Sequence, residues 1–256
     1  MARGKEKDKK TIFLTLNFIK EFSTKDLSEL KILDFGCGKG ARVLKFIELN
    51  LDAFGVDINN NFWSEDKLKD VCKLIPSNNY KIPFNDNFFD FVISSSVMEH
   101  VSNHEKVFLE IYRVLKPGGY AIHNFPSKYY LPFEPHMNIP FINFFSPMPM
   151  WLFYFWSFLG MGKVDWSPSY KYRNSFIELA KNNIEYSKKF LNYKPNSFYE
   201  KLSLKVFGNF TWPMNLYIKY ADDSNIARLC RKLPFKKFLG FIIRQFRQAL
   251  LVNFKN

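Results

Sequence analysis

Residues Lys31–Gly40 read KILDFGCGKG, an apolar run broken by one acid and closed by three glycines at alternate positions. Leu33 and Phe35 continue the apolar stretch of a buried strand, and Asp34 is an acid where an ordinary core strand would not carry one. Gly36, Gly38 and Gly40 lack Cβ atoms, so the chain can turn tightly and lie close to a small ligand before a helix opens near Ala41. The next signal is DAFGVDIN, Asp52–Asn59. Ala53–Val56 reads as a short strand, with Asp57 at its carboxyl end. An acid there, beside a glycine loop, is placed to accept hydrogen bonds from both hydroxyls of a ribose.

Two ligand classes share this pattern, a nicotinamide dinucleotide and a nucleoside-based methyl donor. The dinucleotide pattern places glycines at its first, third and sixth positions and sets a helix amino end against a pyrophosphate. Ala41 is tolerated at the sixth position, but Asp34 would repel a pyrophosphate and suits a ligand carrying an amino group and a sulfonium. Two further stretches favour the methyl donor: YKIPFNDNFFDFVISSSVMEHV, Tyr80–Val101, and EIYRVLKPGGYAIHNFP, Glu110–Pro126.

With these four motifs in order, residues 28–126 resemble class I S-adenosylmethionine-dependent methyltransferases, particularly the bacterial branch that includes the quinone-biosynthesis enzymes. The resemblance implies an α/β fold: a Rossmann-like, mostly parallel sheet of seven strands flanked by helices, the last strand antiparallel. It implies that the Gly36–Gly40 loop, with Cys37, holds the donor's amino-acid end. Asp34 is expected near the donor's amino group, Asp57 with Ile58 at the ribose, Asn78 at the adenine amine and Ser95 at the exit of the fourth strand. At the adenine position the family often carries an acid, and Asn78 replaces it with an amide.

Local patterning agrees. Asp90–Ser94 reads as a buried strand, Ser102 with Glu105 as a capping box, and Val107, Phe108, Ile111, Val114 and Leu115 as one helical face. Lys116–Gly119 is a turn, followed by a strand over Tyr120–Phe125. Residues 1–10 are hydrophilic and are expected to be a flexible basic lead without a secretory signal. Thr11–Phe22 has helical spacing and is expected to cover the sheet or the donor site. Residues 11–126 would form the donor-binding core, and 127–256 an aromatic-rich elaboration with the remaining strands, one of them in Leu202–Trp212, all in one folded unit.

The four histidines, His100, His104, His123 and His136, fall between the fourth strand and the segment after the fifth. That region borders the methyl group in this fold. Methyl transfer to a hydroxyl needs alignment and a base. His136, with Glu134 two residues earlier to orient it, is the first candidate, and His100, after Glu99, the second. His104 is expected to be exposed in a first helical turn and His123 to sit in a strand. Cys37, Cys72 and Cys230 form neither a disulfide framework nor a zinc site, no metal is expected, and the thiols fit a reducing cytoplasm.

Basic residues number 37 against 24 acids, a net charge of +13. Lys, Asn, Phe, Ile and Tyr are all abundant, a bias that AT-rich codons would supply. The carboxyl end is more specific. Ile226–Asn256 carries Lys and Arg but no acid, and Phe235, Phe238, Leu239, Ile242, Ile243, Phe246, Ala249 and Leu250 recur at helical spacing. Such a basic amphipathic helix either packs on the core or lies on an anionic membrane, on the inner face. Pro140–Met161, dense in aromatics and Met, is too interrupted to span a membrane and reads as core, a pocket wall or an interfacial segment. Together they suggest a small or lipid-linked acceptor methylated on oxygen, a glycan or an isoprenoid-linked sugar. Alternatives are a quinone-type ring methyltransferase, an RNA-binding methyltransferase and an inactive donor-binding subunit. No RNA module is evident, so nucleic acid is not the expected partner.

Overall fold

The computed structural model describes residues 2–59, 66–145, 149–162, 175–220 and 231–256, excepting the side chains of residues 2–10. Its centre is one sheet built from β1 (Lys31–Phe35), β2 (Asp52–Asp57), β3 (Cys72–Leu74), β4 (Phe89–Ser95), β5 (Leu115–Pro126) and β6 (Gln248–Phe254). The strand order is β3-β2-β1-β4-β5-β6. β1 to β5 run parallel and β6 is antiparallel to β5. The order reverses between β1 and β4, and the crevice outside their carboxyl ends is where open α/β sheets bind ligands.

Alternation along the strands divides the core into two layers. Leu33, Phe35, Val92, Ala121, Ala249 and Leu251 face α3 (His104–Val114) and α6 (Asn196–Phe207). Ile32, Phe91, Ile93, Ile122, Leu250 and Val252 join a second layer with α1 (Ala2–Phe22), α2 (Ala41–Glu48) and α7 (Met214–Tyr220). α1 therefore covers the sheet through Phe18 and Ile19, and its helix begins inside the stretch expected to be a flexible lead. Over the carboxyl ends, α4 (Met150–Phe158) and α5 (Phe176–Phe190) bring Leu152, Phe153, Ala180 and Tyr186 together with Met137, Ile139 and Ile142 in a small core of their own.

Several expectations are corrected. The sheet has six strands among the described residues, not seven. Leu202–Phe207, expected to begin a strand, lies in α6, because Tyr199, Leu202, Ser203 and Phe207 recur on one buried helical face. Gly208, at φ 73°, ends that helix, and Thr211 makes only an isolated bridge to Val252. The terminal helix is α8 (Lys236–Phe246) and does not reach Leu250. Gln248–Phe254 is apolar enough to be buried on both faces and pairs along β5 from Pro126 to Tyr120. Part of the basic run, Ile226–Cys230, lies outside the described residues, as do Ser146–Met148 of the aromatic stretch.

At α3 the cap is Asn103, whose side chain accepts from the Lys106 amide at 3.1 Å. Ser102 is not free to cap, since its Oγ lies 2.9 Å from the Tyr80 hydroxyl. His104 is buried rather than exposed. Its Nε2 lies 2.8 Å from the Met98 carbonyl and 3.2 Å from the Tyr199 hydroxyl, and burial pushes its pKa down to about 4.

Candidate functional site

The glycine loop follows directly from β1. Gly36, Gly38 and Gly40 have φ of 77°, 56° and 73°, the left-handed region that side chains avoid. Two of them show why nothing larger is present. A Cβ on Gly36 would lie 2.4 Å from Val97 Cγ2, so the loop packs against the exit of β4. A Cβ on Gly38 would meet nothing within 4 Å, so this backbone opens on free space.

Asp57 braces the loop. Its Oδ2 accepts from the Gly38 amide at 2.8 Å, and Oδ1 accepts from the Asn59 amide at 2.9 Å. An ionised carboxylate accepts about four hydrogen bonds, so each oxygen keeps a lone pair for a ribose hydroxyl. Loop and acid thus fit an amino-acid nucleoside such as S-adenosylmethionine.

Asp34 is engaged elsewhere. α2 brings Arg42 over the end of β1, where Nε and Nη2 reach the two Asp34 oxygens at 2.9 and 2.6 Å. A carboxylate this buried takes the nearest fixed cation, so a donor amino group would meet only its remaining lone pairs. Cys37 is buried with its thiol against Cys72, and the two Sγ atoms flank Gly55. The hydrogen bond with Cys72 and burial raise the Cys37 pKa, so it stays an unreactive thiol. Ile58 is exposed beside Asp57 and Ser95 is half-buried at the end of β4. Asn78 sits in an exposed turn whose carbonyl accepts from Lys106 Nζ at 3.2 Å.

The expected acid–base residues converge. His136 Nδ1 lies 2.7 Å from Glu134 Oε1, and Glu134 Oε2 accepts from the His136 and Met137 amides at 2.9 and 2.5 Å. The Tyr193 hydroxyl donates to Glu134 Oε1 at 2.8 Å. With Nδ1–H donated to that carboxylate, Nε2 is left as the acceptor. His100 is held likewise: its Nδ1 lies 2.7 Å from the Phe190 carbonyl, and its ring meets that of His136 edge-on at 4.9 Å between centroids.

Sequence reasoning named His100 and His136 but overlooked the group between them. Glu99 is 1 % exposed, and among the described residues neither carboxylate oxygen has a hydrogen-bond partner from another residue. The Nε2 atoms of His136 and His100 lie 3.9 and 4.0 Å from its Oε1. Burial above all pushes its pKa up to about 7, and the same cause lowers that of His100. The sequence signal was an acid at the end of an apolar run. Asn192 closes this end, its amide donating to the Glu99 carbonyl at 2.7 Å and its side chain to the Val101 carbonyl at 2.7 Å. His123 takes no part: it is fully buried in β5, 2.8 Å from Ser94 Oγ, with its pKa pushed down to about 3 by burial.

Residues 33–123 match the family described as "Methyltransferase domain", and with this topology and loop they form a class I S-adenosylmethionine-dependent methyltransferase domain. Sterol 4-C-methyltransferase strm-1 of Caenorhabditis elegans is 34 % identical over 102 residues, 37 % of this chain and 30 % of that protein. The ubiquinone/menaquinone biosynthesis C-methyltransferase UbiE of Vibrio cholerae is 34 % identical over 99 residues, 35 % of this chain and 38 % of that protein. The chain thus covers about a third of the length of these two relatives. Among solved structures, the YcgJ protein of Bacillus subtilis covers 95 % of this chain and 97 % of its own at 16 % identity, with a TM-score of 0.49.

Proposed function

We propose that this chain transfers the methyl group of S-adenosylmethionine to a hydroxyl of a small or lipid-linked acceptor, a glycan or an isoprenoid-linked sugar. The observation that carries this reading is the adjacency of two devices. An open glycine loop braced by Asp57 packs on Val97, and two residues later begins an acid–imidazole cluster, its carboxylate buried and its rings partly exposed, able to receive a hydroxyl proton. Bound at the loop, the donor supplies an electrophilic methyl on a sulfonium. Gly36–Gly40 cups its methionine part, Asp57 takes the ribose hydroxyls, and the Asn78 amide is the partner for the adenine amine.

His136 is the base in this reading. Glu134 keeps its proton on Nδ1, so Nε2 can accept the acceptor's O–H proton as the O–CH3 bond forms and the C–S bond breaks, its electron pair staying on sulfur. A positioned base contributes about 10²–10⁴-fold. A lipid-like acceptor fits the names of the relatives, a sterol 4-C-methyltransferase and a ubiquinone/menaquinone biosynthesis C-methyltransferase. The acceptor atom is read from this chain's own acid–imidazole cluster, which favours oxygen. A quinone-type ring is the second reading, resting on the Vibrio relative.

The carboxyl-terminal helix supports action at a membrane surface. Phe235, Phe238 and Phe241 are 71, 67 and 49 % exposed, next to Lys236 and Lys237. On α4, Trp151 and Phe158 are 65 and 69 % exposed. None of the described helices is long and apolar enough to cross a membrane, so the mode would be peripheral. Each basic residue at an anionic surface contributes ~1 kcal/mol. Lys236→Glu with Lys237→Glu is expected to release the chain from anionic vesicles, and wild-type chain that ignores such vesicles contradicts this part.

The test of the reaction is a labelled-methyl assay over glycan, isoprenoid-linked, quinone and RNA fractions. Label in the first two, lost with His136→Gln, is expected. Label confined to quinone or RNA would overturn the acceptor, and undiminished turnover in the variant would overturn the base.

A further inference from the structure

We propose that Glu99, His100 and His136 form a binding site for one divalent transition-metal ion, held by a carboxylate oxygen and two imidazole Nε2 atoms. The ligand atoms of these three residues lie within 4.8 Å of one another, the one such group among the described residues. Three features separate it from a chance cluster.

The first is the gap. Distances of 3.9 and 4.0 Å from Glu99 Oε1 to the two Nε2 atoms exceed hydrogen-bond length, so the imidazoles face the carboxylate without satisfying it. Metal–ligand bonds of about 2.1 Å at tetrahedral angles set ligand atoms roughly 3.4 Å apart, which a small inward movement supplies. The second is the orphaned acid. An unpaired polar group buried this deeply is costly to the fold, and a cation between Glu99 and the two rings would remove that cost.

The third is the outer shell. A metal-binding histidine donates its other ring N–H to a carboxylate or carbonyl, which fixes ring and tautomer. His136 meets Glu134 this way and His100 meets the Phe190 carbonyl, both at 2.7 Å. Both Nε2 lone pairs are thereby turned to the same point. Two neutral imidazoles and one carboxylate suit Zn²⁺ and its first-row neighbours better than Mg²⁺ or Ca²⁺, and three protein ligands leave a fourth position open.

This inference deepens the O-methylation reading and rests on it for the ion's use, though not for its binding. An acceptor hydroxyl at the open position would have its pKa lowered by the ion. Its proton would leave to water, and the oxygen would attack the methyl as the C–S bond breaks onto sulfur. His136 is then a ligand, and acts as the base only in the ion-free protein.

The test uses the full chain, stripped with chelator, dialysed and titrated with Co²⁺ and then Zn²⁺. One equivalent of Co²⁺ is expected, with visible d–d absorption that Zn²⁺ displaces. Glu99→Gln, His100→Gln and His136→Gln should each abolish the absorption while S-adenosylhomocysteine binding persists. Glu134→Gln should weaken ion affinity about 10–100-fold through the outer shell. If Glu99→Gln does not fold, His100→Gln, at a side chain 34 % exposed, carries the test. Wild-type chain that binds S-adenosylhomocysteine but takes up neither ion overturns the site and leaves the methyl-transfer reading standing. Uptake unchanged in the folded variants overturns it too.

Discussion

Asp34 in β1 and Glu99 just beyond β4 are carboxylates of equal burial, each 1 % exposed, at neighbouring carboxyl ends of one sheet. They differ in what meets them. Asp34 is held by both arms of Arg42, whereas Glu99 meets two imidazoles just beyond bonding distance. A carboxylate with its partner in place belongs to the architecture of the loop it supports. One kept buried without a partner makes the fold less stable, and the same position is therefore where a ligand gains most by binding. Glu134 stands between the two, equally buried but satisfied by two amides, His136 and Tyr193.

The contrast can be broken by substitution. Arg42→Ala leaves Asp34 as an uncompensated buried charge and should cost about 3–5 kcal/mol in denaturant unfolding. A loss below ~1 kcal/mol would show that the pair is not structural. Glu99→Gln should have the opposite sign. A raised folded-state pKa means that stability is full below the ordinary carboxylate pKa and declines as pH rises towards about 7. In chelator-treated protein above neutral pH the substitution should therefore stabilise by as much as ~3 kcal/mol, and below pH 4 by almost nothing. Destabilisation at high pH would mean that Glu99 has a protein partner after all. Tyr193→Phe removes one hydrogen bond to the Glu134 carboxylate and should cost about 1.5–3 kcal/mol. The ion affinity should fall with it if Glu134 orients His136, and stay constant if the bond only anchors Tyr193.

The two halves of the molecule were unequally legible in the sequence. In the donor half each signal is local: an apolar run, glycines at alternate positions, an acid at a strand end. Strands β1, β2 and β4 and the Gly36–Gly40 loop follow from contacts between neighbours in the chain. Arg42 was overlooked because its partner is fixed by how α2 sits on β1. In residues 127–256 the signals are long-range. Leu202–Phe207 alternates as a strand would, and only packing on α3 makes it a helix. Ala249 and Leu250 continue a helical spacing, yet the free edge of β5 claims them for β6. The acid–imidazole cluster joins residues after β4 with His136 and Tyr193 far along the chain, and no spacing rule reveals such a meeting.

The measurement closest to the centre of this account is isothermal titration of the chain with S-adenosylhomocysteine, beside Asp57→Ala. One site per chain is expected, with affinity in the variant reduced at least tenfold, about 1.4 kcal/mol for the lost ribose bonds and the loosened Gly38 amide. No heat of binding to a folded wild-type chain, or equal affinity in both proteins, would contradict it.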